Sequence, residues 1–262
     1  MKPFFERDFT LQKYEQLCRT FLESGYKVST ILDYLTNKSV FEEGYIVILR
    51  HDVDRKPFNA LKMAHIETNL GIRSTYYFRA KTNTFKPILI KQIAQLGHEI
   101  GYHYESLSDM HGNLELAIED FKNNLQKFRK LVPVKTICMH GSPLSKWDNR
   151  DLWEKYDYKE SGLIGEPYLS IDYTNIVYIS DTGRTWNPNK FNLRDRVRSN
   201  VKVEIDSTID LMKVLRSKVH GRFFIQCHPE RWSKNIFQWI LFLSIDHLSN
   251  NIKVLVSKIW RR

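Results

Sequence analysis

Five stretches of the chain gather groups that bind metals or move protons. They are His51-Asp52-Val53-Asp54, His98 to Glu105, His140-Gly141-Ser142-Pro143, Asp181 to Trp186, and His228-Pro229-Glu230-Arg231. An Asp with two His around an open coordination position makes a hydrolytic metal site. Such an ion acidifies a water and polarises a carbonyl. A second carboxylate then serves as base and a separate His as acid toward the leaving group. The chain holds a candidate for each part. Asp52 and Asp54 are two residues apart, so in extended chain they point to one side. Two carboxylates that close repel, and one pKa rises unless a cation lies between them. The plain alternative for Asp54 is a cap on the helix that follows, with Pro57 in its first turn.

The elements that must position these groups read clearly. Tyr45 to Leu49 is an apolar, β-branched run, long enough for a buried strand and too short for a stable helix, and it ends abruptly in Arg50, His51, Asp52 and Asp54. The spacing predicts further strands over Ser74–Phe78, His98–His103 and Val134–Met139, with less distinct ones over Tyr173–Ile179, Val201–Ile205 and Phe223–Gln226. Helical periodicity marks residues 10–24, 29–36, 58–70, 87–96, 114–131 and 207–217, then a tail over 232–249 and 251–260. Strand and helix alternate, which argues for parallel strands with crossover helices. With about seven strands and no break in composition, the expected fold is a distorted α/β (β/α) barrel. It is one domain over 1–262, with N-terminal helices over 1–40 and a helical tail over 233–262. An open doubly wound sheet is the rival. Barrel strands deliver their C-terminal ends to one mouth, and five polar endings, four bearing His, are hard to explain by core packing.

Composition narrows the class. Of 262 residues, 42% are hydrophobic and 27% charged, as in globular domains. The net charge of +10 suits an anionic partner, but the basic residues are scattered, and the longest basic block is the terminal Arg261-Arg262. Nucleic acid is therefore not the expected partner. Cys18, Cys138 and Cys227 stand far apart in apolar segments and read as buried thiols of a reducing compartment. The N-terminus lacks the apolar core of a signal peptide, so a cytoplasmic location is expected.

Three of these stretches resemble the NodB-type polysaccharide deacetylases of carbohydrate esterase family 4. The strand ending in Asp52-Val53-Asp54 is similar to that family's first motif, Gly97-His-Glu-Ile-Gly-Tyr-His103 to the approach to its second, and Phe224-Ile-Gln-Cys-His228-Pro to its last. The likeness runs in order over about residues 45–230 and is strongest to a divergent branch with HDVD, HGSP and HPERW stretches, some of whose members are associated with O-antigen or capsule biosynthesis. The resemblance implies Asp52 as catalytic base, Asp54 and His103 as metal ligands, and His228 as the acid that protonates the departing amine. It implies a divalent metal, zinc first for Asp/His ligation, with nickel, cobalt or iron fitting similar ligands. The substrate it implies is an acylated sugar or glycan, free, nucleotide-linked or lipid-linked. The chain departs from the family in three places. Val53 separates the two aspartates, the position four after His103 is Leu107 rather than a His, and His140-Gly-Ser-Pro143 replaces an Arg-Pro motif. His140 is the first choice for the third ligand, with Glu105 and His111 behind it.

For the remaining polar residues two readings stand side by side. Glu105, Ser142, Asp181, Arg184, Trp186 and Arg231 are candidates for holding substrate, since Trp stacks on sugar faces and Arg pairs with carboxylate or phosphate. Against that, Asp181 and Arg184 would merely tie a loop together, and Arg231 would start a helix. His51 faces away from Asp52 and reads as a satisfied supporting residue, or a ligand if the strand bulges. His98 reads as structural, and His111, His220 and His247 as surface or helix positions. The tail from Ile236 packs on the barrel or lies on an anionic membrane through Trp239, Phe242, Leu243 and Trp260, although Asp246 and His247 interrupt it. Two rival functions complete the field: a deacetylase fold that binds glycan without turnover, motivated by Leu107, and a metal phosphohydrolase, motivated by the His51-Asp52 pair.

Overall fold

A computed structural model describes residues 7–37, 44–187 and 194–260, with side chains assigned to residue 251. The first residues read for a signal peptide, the Arg261-Arg262 pair and the Trp260 side chain lie outside this description. In chain order the elements are α1 (Leu11–Glu23), β1 (Lys27–Ser29), α2 (Ile31–Thr36), β2 (Ile46–Val53), α3 (Pro57–Asn69), β3 (Thr75–Phe78), α4 (Pro87–Gln95), β4 (Glu99–Tyr104) and α5 (Ser106–Asp109). They continue with α6 (Leu114–Arg129), β5 (Ile137–Met139), α7 (Leu152–Lys155), α8 (Pro167–Ser170), β6 (Val177–Ser180), α9 (Thr208–Ser217), β7 (Arg222–Cys227) and α10 (Ile236–Trp260).

The seven strands among the described residues join one parallel sheet, six of them in the order β5-β4-β3-β2-β7-β6. The short β1 pairs with the first half of β2, beside the stretch that β3 takes. The sheet curls into the distorted barrel that the alternation of elements predicts. Ile46 and Ile48 of β2 meet Tyr77, Cys138, Tyr178 and Phe224 inside it, with Ile171, Tyr173 and Ile176 filling the side between β5 and β6. The alternate residues Val47 and Leu49 face out to α1 and α9, and Val53 to α3 and α4. Gly101 belongs to the inner row: a Cβ there would come within 2.2 Å of the Tyr77 ring, so only glycine lets that ring cross the barrel.

Two strand expectations are corrected. Residues 201–205 form no strand, although Val201, Val203 and Ile205 do pack on the core. Their alternation anchors an extended segment that has no strand to pair with. The three-residue β1 was not expected, being too short and polar to show a period. The two tail helices are one.

On the outer side of β2 lies a buried polar cluster. Glu67 of α3 is 0% exposed. It accepts hydrogen bonds from Tyr14, from Ser74 Oγ at 2.5 Å and from Tyr76 Oη at 3.0 Å, and its Oε1 is 2.7 Å from His51 Nε2. His51 Nε2 is thus engaged by a cluster joining α1, α3 and β3 rather than by anything at the mouth, while its buried Nδ1 has no hydrogen-bond partner among the described residues. His98 belongs to the same cluster, accepting from Ser74 N at 3.2 Å. Burial alone would raise the Glu67 carboxyl, but His51, then His98 and Ser74, bring it down to about 2. Its pKa is therefore lower folded than unfolded, so its contribution to stability is present above about pH 4.5 and is lost as pH falls toward 2. We expect this group to contribute about 3 kcal/mol at neutral pH, at roughly 1.4 kcal/mol per pKa unit. Urea unfolding between pH 7 and 3 should show the wild type losing most of that, and Glu67→Gln, destabilised at pH 7, showing a flatter profile.

Candidate active site

The period of the strands decides what reaches the mouth. Arg50 and Asp52 continue the inner row of Ile46 and Ile48, and Asp54 follows them past the strand end. His103 ends the inner row of β4, His140 follows β5, and His228 follows β7. Asp52, Asp54, His103, His140 and His228 line one cavity of about 250 Å³, together with Arg55, Arg79, Glu230 and Arg231. Asp54 caps nothing: the helix after it is capped at Lys56, without a side-chain bond.

Asp54 Oδ1 is 3.3 Å from His103 Nε2 and 3.6 Å from His140 Nε2. The far nitrogen of each ring is held. His103 Nδ1 lies 3.0 Å from the Cys138 carbonyl oxygen, so it carries the proton and donates. His140 Nδ1 lies 3.0 Å from Glu105 Oε2 and 3.1 Å from Ser142 Oγ. Each ring therefore presents Nε2 toward Asp54. Asp54 Oδ1 is buried and has no hydrogen-bond partner among the described residues. A carboxylate oxygen facing two ring nitrogens is stable only with a cation among them. Burial pushes His140 down, but Asp54 and then Glu105 raise it to about 9, so a proton can play that part.

A metal fits the same donors. Separations of 3.3 and 3.6 Å are close to the edge of a tetrahedron whose bonds are about 2.0–2.1 Å, the length for Zn–N and Zn–O. The held Nδ1 atoms are the outer-shell contacts that fix the tautomer of a ligating His. A second trio, Asp52, His103 and Cys138, is compact enough as well. It suits an ion less, because burial raises the Cys138 thiol well above its usual range and Asp52 is already engaged. Of the other third-ligand candidates, Glu105 is spent on Arg79 (2.8 and 2.6 Å) and on orienting His140. His111 lines a neighbouring groove beside Trp147. Leu107, where the resembling family has its second His, is 2% exposed in the core.

Asp52 is 1% exposed and accepts three hydrogen bonds: Arg50 Nε at 2.7 Å, Arg50 Nη2 at 2.5 Å and Gln226 Nε2 at 2.6 Å. Burial raises its pKa, yet Arg50, followed by His103, takes it down to about 2. Arg50 itself is wholly buried and lies over the Tyr168 ring at 4.9 Å. Asp52 Oδ2 is 3.6 Å from His103 Nε2, so the carboxylate borders the Asp54 trio.

On the opposite wall, His228 Nδ1 is 2.6 Å from Asp181 Oδ1. Asp181 is 0% exposed and also accepts from His228 N, from Arg231 Nη1 at 2.9 Å and from Trp232 Nε1 at 2.9 Å. Burial and Arg231 push His228 down, but Asp181 outweighs them and the net shift is upward. An imidazole held by a carboxylate on Nδ1 keeps Nε2 for proton transfer.

The substrate-holding set divides. Arg231 lines the cavity, with its buried Nε lacking a partner among the described residues. Glu105 and Ser142 orient His140. Asp181 orients His228. Two expectations are overturned. Trp186 is 1% exposed, donates to Thr208 Oγ1 and packs with Phe9 and Trp232, so its faces are closed to a sugar. Arg184 does not reach the cavity: it donates to the Arg231 carbonyl at 2.9 Å and pairs with Asp246 of α10 at 3.5 Å. Both follow a strand end, but a turn with Arg184 at φ +59 carries the chain away from the mouth. The phosphohydrolase pairing fails on the same parity that places Asp52, since His51 and Asp52 leave opposite faces of β2. Arg79, Arg55, Glu230 and Asp246 were missed as cavity residues. Arg79 could have been found: it is the polar ending of the strand over Ser74–Phe78.

No family model matches the chain, and no curated protein does. Among solved structures it is similar to a family 4 carbohydrate esterase from Streptomyces lividans in complex with acetate, at 14% identity and TM-score 0.39, over 80% of this chain and 90% of that one. It is similar to a Streptococcus mutans CE4 esterase at 13% identity and TM-score 0.43, over 81% and 83%. A family 4 carbohydrate esterase from Bacillus anthracis is matched at 11% identity and TM-score 0.40, over 90% and 84%. At such identities and TM-scores, function is read from this chain's own residues.

The outer contacts of His140 give a direct test. Zinc affinity, measured by competition with a chromogenic chelator, should fall at least 100-fold in Asp54→Ala and His140→Ala. It should fall about 10- to 100-fold in Glu105→Gln, the usual effect of losing an outer-shell partner. Unchanged affinity in all three would place the ion elsewhere.

Proposed function

We propose that this chain is a divalent-metal-dependent hydrolase of the polysaccharide-deacetylase type, which removes an acyl group, N-acetyl first of all, from a sugar used in surface-polysaccharide synthesis. One observation carries the reading. The unpartnered Asp54 Oδ1 faces two histidine Nε2 atoms within 3.6 Å, and a fixed carboxylate and a carboxylate-held imidazole stand on either side. Asp54, His103 and His140 would hold the ion, zinc by preference. When bound, it supplies Lewis acidity toward an acyl oxygen and toward water.

The rest is the work of the chain's own residues. Asp52 stays ionised across the working pH range, and Arg50 and Gln226 leave it one orientation, so it holds the attacking water and takes its proton. A carboxylate this acidic is a weak base, which fits a water already made acidic and no other. As the C–N bond breaks, His228 donates its Nε2 proton to the departing nitrogen, and Asp181 stabilises the imidazolium until then. The acyl group leaves as its acid and the sugar keeps the amine.

Acetate release from N-acetylated sugars by the zinc-loaded protein is the test. Asp52→Ala and His228→Ala should each lower kcat by 10²–10⁴, the usual size of a general acid–base contribution. Asp181→Asn should lower kcat with little change in KM and shift the basic limb of the pH profile. A protein that binds glycan, releases no acetate, and keeps its glycan affinity in Asp54→Ala and His103→Ala would be a binding module instead.

A further inference from the structure

α10 has two working faces. Phe242, Asp246 and Asn250, four residues apart, are each 6% exposed and turn inward. Asp246, Ser249 and Asn250 line the candidate active site's cavity, and Asn250 Nδ2 donates to the Gly183 carbonyl at 2.9 Å. Outward, the same helix shows Phe237 (81% exposed), Ile240 (53%), Leu241 (52%) and Leu248 (65%). At 3.6 residues per turn these four form one stripe along the helix. Ser244 is exposed between them and His247 beside them. A contiguous apolar stripe of this kind on a folded surface marks a contact.

Charge identifies the contact. From Lys234 to Arg262 the chain carries Lys234, Lys253, Lys258, Arg261 and Arg262 against one acid, Asp246, in a protein of net charge +10. That one acid is turned into the cavity, so the exposed part of the described helix bears no carboxylate. Exposed Lys56, at the start of α3, lies 5.3 Å from the Phe242 ring, and its near neighbour Phe58 is 65% exposed. No described helix is long and apolar enough to cross a membrane. An apolar face with no exposed acid among the described residues, exposed Lys234 just before the helix and exposed Lys56 near it are what an interfacial helix needs on an anionic bilayer.

We propose that the outer face of α10, with Lys56 and Phe58 beside it, docks the protein on an anionic membrane surface. The cavity lies against the opposite face of that helix, so docking would leave Asp246 and Asn250 in place on its wall. Docking itself is independent of the hydrolase reading, because its assay measures no turnover.

The test is sedimentation of the full chain with phosphatidylcholine vesicles, with and without phosphatidylglycerol. Binding should require the anionic lipid and weaken several-fold on raising the salt. Phe237→Ser with Leu241→Ser should cut it at least tenfold, with an unchanged thermal unfolding curve because both side chains are exposed. A chain that stays in the supernatant with anionic vesicles overturns the proposal. So does a stable dimer by light scattering that Phe237→Ser with Leu241→Ser dissociates, since the stripe would then belong to a second copy.

Discussion

A buried guanidinium needs a fixed counter-charge, and Arg50 has one in Asp52. The pair stands at the floor of the cavity, bidentate at 2.7 and 2.5 Å, both side chains almost wholly buried. Breaking such a pair by removing one partner leaves an uncompensated charge and costs several kcal/mol, about 3–5 in other buried pairs. The same rule runs through the site. Glu105 has Arg79 and His140, Asp181 has Arg231 and His228, and Glu67 on the far side of β2 has His51. Asp54 has no guanidinium paired with it in this way: its Oδ1 has two ring nitrogens, His103 Nε2 at 3.3 Å and His140 Nε2 at 3.6 Å, and that convergence supports this trio as the cation site of the proposed hydrolase.

This arrangement follows from β2 being a strand. A period of two sends Arg50, Asp52 and Asp54 to the barrel mouth and His51 to the outer cluster, and a slip of one residue would exchange them. Val53, which parts the two aspartates, is what a strand requires if both are to face the same way. It is 0% exposed among the side chains of α3 and α4, so the spacing that departs from the resembling family's adjacent pair also closes the core.

Legibility in the sequence follows the same physics. The strands over 46–53, 75–78, 99–104, 137–139 and 222–227 were plain because burial on both faces demands largely apolar runs ended by polar residues. Those endings named Asp52, Asp54, His103, His140 and His228. The short β1 and the unpaired 201–205 segment were misread because pairing is a long-range matter that local alternation does not report. The roles of Glu105, Asp181, Arg184 and Trp186 were out of reach for a related reason. Each lies after a strand end, and whether such a side chain faces the cavity or its wall depends on the turn, as the left-handed Arg184 shows. The sequence could say which residues were near the mouth, but not which of them touch substrate and which hold the ones that do.

Leu107 stands where the resembling family has its second His, and its place in this chain explains why a different residue reaches Asp54. α5 begins at Ser106, directly after Glu105, and this early turn carries Leu107 into the core between α6 and β5. No ligand can come from there. β5 lies against β4, with His103 level with Cys138, and the backbone of His140 bonds to the Tyr104 carbonyl at 2.7 Å. The first residue past β5 therefore arrives beside His103 on the inner row, and a His there meets Asp54 without any change in the sheet. Glu105 becomes the brace that turns its ring. A donor supplied by the next strand has a different approach from one supplied by the next helical turn. Its orientation depends on a second residue, so in the proposed hydrolase the metal preference would be set by the Glu105–His140 pair.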